Sequence, residues 1–155
     1  MIVSGPTWET NEGTSARMRK QPSKGTQPEM ALRRVLYSRG LRYRLQWPVP
    51  GMPRRTIDIA FPRRKLAVFV DGCFWHGCPT HAVPPKRNAE RWTTKIASNT
   101  VRDEETTKHL VGLQWTVIRF WEHEDAESAA EMVEQLVREA GTKKPGTRGG
   151  NRQRY

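Results

Sequence analysis

Apolar positions along the chain alternate between helix-like and strand-like runs. In Thr26-Gln27-Pro28-Glu29, Thr is placed to cap a helix, Pro to sit in its first turn and Glu to close a capping box. Leu32, Val35 and Leu36 then recur at helical spacing, and Gly40 supplies the stop. Segments 43–47 and 55–61 read as a hairpin of strands around the turn Pro48-Val49-Pro50-Gly51-Met52-Pro53. Leu66-Ala67-Val68-Phe69-Val70 is continuously apolar, the pattern of a strand buried on both faces. A helix over about 88–111 follows, and the run from Trp115 to Trp121 predicts a second interior strand. The order strand–helix–strand implies a right-handed crossover and a parallel pair. Ala129, Met132, Val133, Leu136 and Val137 mark the apolar face of a last helix. The expected architecture is α/β, a mixed sheet flanked by helices.

A chain of 155 residues suits one compact domain with tails. Residues 1–13 show no periodic apolar pattern, and residues 141–155, GTKKPGTRGGNRQRY, have almost nothing to bury. Both ends are expected to be disordered, leaving 14–140 as the folded unit. The basic C-terminal tail either adds nonspecific attraction for a polyanion or is a solvated end with no dedicated role.

Charge changes the picture of the partner. Lys and Arg total 27 against 16 Asp and Glu, a net +11 with a pI near 10.4. Such an excess favours a polyanion, because each phosphate neutralised releases condensed counterions. Charge alone fits DNA, RNA or an anionic membrane surface equally well. No apolar run is long enough to span a bilayer and the N-terminus lacks a signal-peptide pattern, so the expectation is a soluble cytoplasmic protein.

Candidate chemistry concentrates in two places. Asp58 interrupts the apolar strand Ile57-Asp58-Ile59-Ala60-Phe61, where a carboxylate is costly to bury unless something positive meets it. It is either a ligand for Mg²⁺, as phosphodiester hydrolysis requires, or the partner of Arg54 or Arg55 in an ion pair. The second place is Val70-Asp71-Gly72-Cys73-Phe74-Trp75-His76-Gly77-Cys78-Pro79-Thr80-His81. Its Cys-x4-Cys-x2-His run offers three metal ligands, and His123, after the later strand, can complete a closed tetrahedral zinc site. Two reduced thiols and two surface histidines are the plainer reading. Phe74 and Trp75 are core residues on the ordinary view, yet adjacent rings in a loop cannot easily both point inward. Beside a basic surface they suit stacking or wedging between bases, and Trp92 can join them. His76 can take a proton at neutral pH, serve as a further zinc ligand, or simply face solvent. Glu29 has its capping role, and Asn99, Arg102 and Asp103 share one helix face that is ordinarily solvated.

These residues resemble the very short patch repair endonuclease family, a branch of the restriction-endonuclease-like fold. The matching stretches are TSARM at 14–18, PEMALRRVLYSRGLRYR at 28–44, RRTIDIAFPRRKLAVFVDGCFWHGCPTH at 54–81, RWTTKIASNTVRD at 91–103 and WTVIRFWEHE at 115–124. The resemblance implies a bacterial, cytoplasmic, nucleoid-associated monomer that recognises a T·G mismatch left by deamination of 5-methylcytosine. It would nick the strand carrying the T, on that T's 5′ side, so that a DNA polymerase replaces a short tract, with mismatch-repair proteins as further partners. Carried over by position, Asp58 and the backbone carbonyl of Val70 bind Mg²⁺, and Glu29 positions water at that ion. His76 acts as general base, and Cys73, Cys78, His81 and His123 hold structural Zn²⁺. Phe74, Trp75 and Trp92 enter the base stack, Lys95 and Asn99 read the mismatched pair, and Met18 approaches the other groove. Two positions depart from other members: Asp71 stands where some carry His, and His123 where some carry Cys. The Asp…Glu-x-Lys signature of many restriction enzymes is not found after Asp58, which leaves Asp71, working with Asp103, as a further catalytic candidate. A nonenzymatic zinc-bearing DNA-binding module and a double-strand restriction nuclease are the competing readings.

Overall fold

The structure, a computed structural model, describes residues 25–73, 75–81 and 87–142. The proposed tail at 1–13 and residues 143–155 of the tail expected at 141–155, together with Met18 and Phe74, lie outside the described residues, whereas Gly141 and Thr142 of that tail are helical. The chain runs α1 (Gln27–Ser38), β1 (Arg44–Val49), β2 (Met52–Phe61), a 3-10 turn (Pro62–Arg64), β3 (Leu66–Asp71), α2 (Ala89–Gly112), β4 (Thr116–Trp121) and α3 (Ala126–Thr142). The four strands form one sheet in the order β1-β2-β3-β4. β1 and β3 lie antiparallel to β2, whereas β3 and β4 are parallel, joined by α2 as the expected crossover.

Two apolar layers sandwich the sheet. Leu32 and Leu36 of α1 and Ala129, Ala130 and Val133 of α3 pack with Ile59, Phe61, Leu66, Val68 and Phe120. Val49, Ile57, Ala60, Ala67 and Phe69 pack with Leu110 of α2 and with Trp115. β3 alternates between these layers, Leu66 and Val68 one way and Ala67 and Phe69 the other. That is why its sequence is unbroken apolar. In α3 the buried positions are Ala129, Ala130 and Val133, while Met132, expected on the apolar face, is 51% exposed.

Three further expectations need correction. Among the described residues β4 lies at the edge of the sheet, not in its interior. Its apolar character comes from helices over both faces, Ile118 and Phe120 turning to one layer and Val117 to the other. The hairpin strands run through the prolines assigned to the turn. Pro48 lies on the sheet edge, and Pro53 precedes the stretch Ile59–Phe61 where β2 meets β3, so neither removes a ladder donor that the sheet requires. At the start of α1, Thr26 occupies the N-cap without a side-chain cap bond, and Glu29 instead accepts the Gly25 N–H at 2.9 Å. The far end of α1 behaves as read. Gly40 at φ +81° lets Leu41 N–H reach Leu36 O at 3.1 Å and Gly40 N–H reach Tyr37 O at 3.0 Å, the bonds of a Schellman stop.

One irregularity in the sheet bears on function. Ile57 and Ile59 are two residues apart, yet they pack in opposite layers. Strict alternation would put both on one face. The break falls at Asp58 and at Gln46, which has φ +49° and lies between the paired residues Leu45↔Ile59 and Trp47↔Ile57. A residue with its pleat disturbed can present a polar side chain where a regular strand would bury an apolar one.

Candidate functional site

Asp58 sits where the ladder between β2 and β3 gives out. The paired residues end at Ile59↔Val68, and one step further the Asp58 carboxylate accepts the Val70 N–H at 3.0 Å. Among the described residues no Arg or Lys makes an ion pair with Asp58. Of the two expected partners, Arg54 makes no ion pair with it, and Arg55 is committed to Glu105 at 2.9 Å and Thr106 at 2.8 Å on α2. Burial, with the charges of Glu29 and Asp71 adding to it, outweighs the Val70 bond and Arg119 and pushes Asp58 up to about 6. Glu29 is 4% exposed and has Arg33 3.7 Å from its carboxylate. Asp58 is thus a half-buried carboxylate with no ion-pair partner among the described residues, and the negative charges of Glu29 and Asp71 act on it.

Beyond β3 the chain turns back on itself, with Cys78 N–H on Cys73 O at 3.0 Å and His76 N–H on Gly72 O at 3.2 Å. Glu122, just past β4, straps this loop by accepting the Cys73 N–H at 2.9 Å, while its own N–H meets Asp71 O at 2.9 Å. Gly77, at φ +67°, brings the loop so close to α2 that a Cβ would stand 3.1 Å from Ile96. Asn99 of α2 donates to the Trp75 carbonyl at 3.0 Å.

The loop gathers two clusters. In the first, ligand atoms of Cys73, Cys78, His81 and His123 all lie within 4.8 Å of one another. Cys73 Sγ is 3.1 Å from His123 Nδ1, and Cys78 Sγ is 3.9 Å from Nδ1 of both His81 and His123. Zinc–sulfur bonds of about 2.3 Å and zinc–nitrogen bonds of about 2.0 Å separate the ligand atoms of a tetrahedron by roughly 3.3–3.8 Å. The four residues fit a structural zinc site, with both sulfurs buried and both imidazoles at the surface. Burial and the adjacent Cys78 sulfur push the Cys73 thiol up to about 11. At Cys78 burial opposes ionisation, but bonds from the Thr80 backbone and from His81 outweigh it and bring the thiol down to about 7.

The second cluster is Asp71, His76 and Asp103. His76 Nδ1 is hydrogen-bonded to Asp103, and Asp71 stands 3.9 Å from the same nitrogen. An ionised carboxylate only accepts, so Nδ1 carries the proton and Nε2 is the open lone pair of the neutral ring. Burial disfavours the imidazolium, but the Asp103 bond and the two carboxylate charges outweigh it and raise His76 above its ordinary value. Arg119 of β4 donates to Asp71 at 2.8 and 3.2 Å, lies 3.1 Å from Asp103 and reaches Thr107 at 3.2 Å. The cluster opens into a groove of about 500 Å³ that Thr100 and Lys108 also line.

Trp75 and Trp92 meet edge to face with centroids 5.5 Å apart, and Lys95 Nζ lies 5.0 and 5.7 Å from their ring centres. The structure therefore brings Trp75, Trp92 and Lys95 together and draws Asn99 to the Trp75 backbone. Arg119 and Glu122 escaped the sequence reading. The signal for Arg119 was present: a charge in an apolar strand, the same anomaly that singled out Asp58.

Fold and site together define an α/β metal-binding protein with an acidic, histidine-bearing groove at one end of a mixed sheet. The family model described as DNA mismatch endonuclease Vsr matches residues 8–81. The Type II nicking enzyme V.NaeI of Lentzea aerocolonigenes is 40% identical over 126 residues, 79% of this chain and 75% of that protein. V.NmeDIP of Neisseria meningitidis serogroup C, also a Type II nicking enzyme, is 40% identical over 136 residues, covering 84% and 89%. V.XorIIP of Xanthomonas oryzae pv. oryzae, of the same description, is 41% identical over 110 residues, covering 69% and 77%. The chain belongs to the Vsr family of DNA mismatch endonucleases, and it is a nuclease that acts on DNA. Among the described residues no helix is long and apolar enough to cross a membrane.

Proposed function

We propose that this nuclease nicks duplex DNA on the 5′ side of the T in a T·G mismatch by Mg²⁺-dependent hydrolysis, opening the strand for very short patch repair. The observation that carries the reading is Asp58: a half-buried carboxylate with no ion-pair partner among the described residues, accepting only the Val70 N–H and feeling the charges of Glu29 and of Asp71, which belongs to the His76–Asp103 cluster. A module that only bound DNA would have no use for that cost. Similarity to Type II nicking enzymes supports cutting of one strand.

In this reading Asp58 and the Val70 carbonyl hold the magnesium, and bound magnesium relieves charge on the phosphate and on the departing oxygen. Asp103 keeps the proton on Nδ1 of His76, so Nε2 accepts a proton from the attacking water. Glu29 orients that water from the first turn of α1. Trp75 and Trp92, with Phe74, enter the stack, and unstacking costs least where the base pair is already mismatched. Lys95 and Asn99 face the mismatched pair and Met18 the other groove. The product is a substrate for a DNA polymerase, and mismatch-repair proteins are further partners.

The test is incubation with Mg²⁺ and end-labelled duplexes carrying T·G or T·A at one position. Nicking of the T strand alone, in the mismatched duplex alone, is expected. Equal cleavage of paired DNA would move the protein to the restriction nucleases, and retention without a nick to the binders. A second expectation follows from the Asp58 value of about 6. Magnesium binds the ionised carboxylate, so its apparent affinity is flat above that pH and weakens by about tenfold per unit below it. Magnesium titrations of the nicking rate between mildly acidic and alkaline pH measure this. An affinity unchanged across the range removes Asp58 as ligand.

A further inference from the structure

We infer that Arg119 is the positioning residue of this centre, holding Asp71 away from His76 so that the imidazole pairs with Asp103 alone. The inference rests on the nuclease reading above for its functional meaning, and on geometry for its substance. Arg119 lies in the middle of β4, opposite Phe69, on a strand otherwise built from Val117, Ile118, Phe120 and Trp121. A guanidinium there gives up hydration, and an aliphatic residue would serve the sheet as well. Its donors show what it does instead.

Nε and Nη2 grip both oxygens of Asp71, at 2.8 and 3.2 Å. Nη2 also meets Asp103 at 3.1 Å, and Nη1 is held by the Thr107 hydroxyl at 3.2 Å. Beneath the guanidinium the Phe69 ring lies 4.4 Å from its carbon, fixing its plane. Four contacts to the protein, three of them to carboxylates, fix the guanidinium at the groove wall.

The consequence falls on His76. Two carboxylates flank its Nδ1: Asp103 in hydrogen-bond contact, and Asp71 at 3.9 Å. Without a cation between them the two acids would repel each other and compete for one N–H. The fork on Asp71 engages both of its oxygens, which leaves Asp103 as the hydrogen-bond partner of Nδ1 and sets one tautomer and one ring orientation. It also offsets negative charge where a phosphodiester must approach. Planar two-point donation is a property of Arg that Lys does not share.

The experiment compares wild type, Arg119→Met, Arg119→Lys and Arg119→Met/Asp71→Asn as full-length, zinc-loaded proteins. Single-turnover nicking and the downfield NMR resonance of the His76 ring N–H are both recorded. A small misplacement of a reacting group costs on the order of 10²-fold. A loss of that size in kcat is expected for Arg119→Met, with KM for mismatched DNA unchanged and the imidazole resonance shifted. Arg119→Lys should recover only part of the rate. Adding Asp71→Asn to Arg119→Met should restore some, because the stranded carboxylate is gone. Wild-type kcat with an unmoved resonance in Arg119→Met overturns the inference. So does a KM effect alone, which would make Arg119 a DNA contact. If Arg119→Met does not fold, full activity in Arg119→Lys is the overturning result. If the wild type leaves T·G DNA intact, the nicking reading fails, while the resonance still decides what Arg119 does to His76.

Discussion

Replacing Asp58 by Ala is expected to leave mismatched DNA bound and to remove nicking, a fall of at least about 10³-fold in single-turnover rate. Among the described residues the carboxylate has no ion-pair partner and accepts only the Val70 N–H, while the proposed recognition falls to Trp75, Trp92 and Lys95 at the loop and α2. Asp58→Asn adds a test of opposite sign. Burial raises the folded carboxyl from 3.8 to about 6, so between those values the native state holds more protons than the unfolded chain. Without magnesium, the stability of the wild type therefore falls as pH rises through that window, by about 3 kcal/mol at most from this group. Asparagine keeps an oxygen for the Val70 N–H and carries no charge. The inactive variant should melt higher than wild type at neutral pH and match it below the window. Thermal melts at several pH values measure the difference. A variant that cuts normally, or that is less stable at neutral pH, contradicts the assignment.

The second large effect belongs to zinc. Native protein is expected to carry about one zinc per chain, and Cys73→Ser to lose it together with nicking. The reason is placement. His76 lies between Cys73 and Cys78 on a loop held by a few backbone bonds and the Glu122 strap. The apolar layers that hold the sheet are separate: of the four ligands, none belongs to either layer. Far-UV circular dichroism should then keep most of its signal in Cys73→Ser while activity is gone. Elemental analysis finding no zinc in the native protein ends the proposal, and a metal-free variant that still nicks separates the loop from catalysis.

Much of this was legible in the residues. Unbroken apolar runs located β3 and β4, the Gly40 stop ended α1, and crowding of Cys and His drew attention to the loop that carries both clusters. What stayed hidden has physical causes. Apolar content reports burial of a strand's faces and is blind to its edges, so β4 passed for an interior strand. Proline in a hairpin suggests a turn, but an edge needs no donor on its outer side, so Pro48 stayed in β1. Asp58 was weighed evenly between Mg²⁺ and an arginine because sequence cannot say that Arg55 leans onto α2. Arg119 went unremarked because an isolated cation in a strand has meaning only once its partners, more than forty residues upstream in the case of Asp71, are brought beside it.

The parallel pairing of β3 with β4 also has a temporal meaning. The histidine and Asp71 are synthesised well before Arg119, Glu122 and His123, which arrive only with the next strand and the turn after it. A nascent chain that has not yet delivered that strand has no fourth metal ligand, no strap and no guanidinium at the groove. In the proposed reading, a chain that has not yet made β4 carries the groove's histidine without the guanidinium and the strap that hold its surroundings.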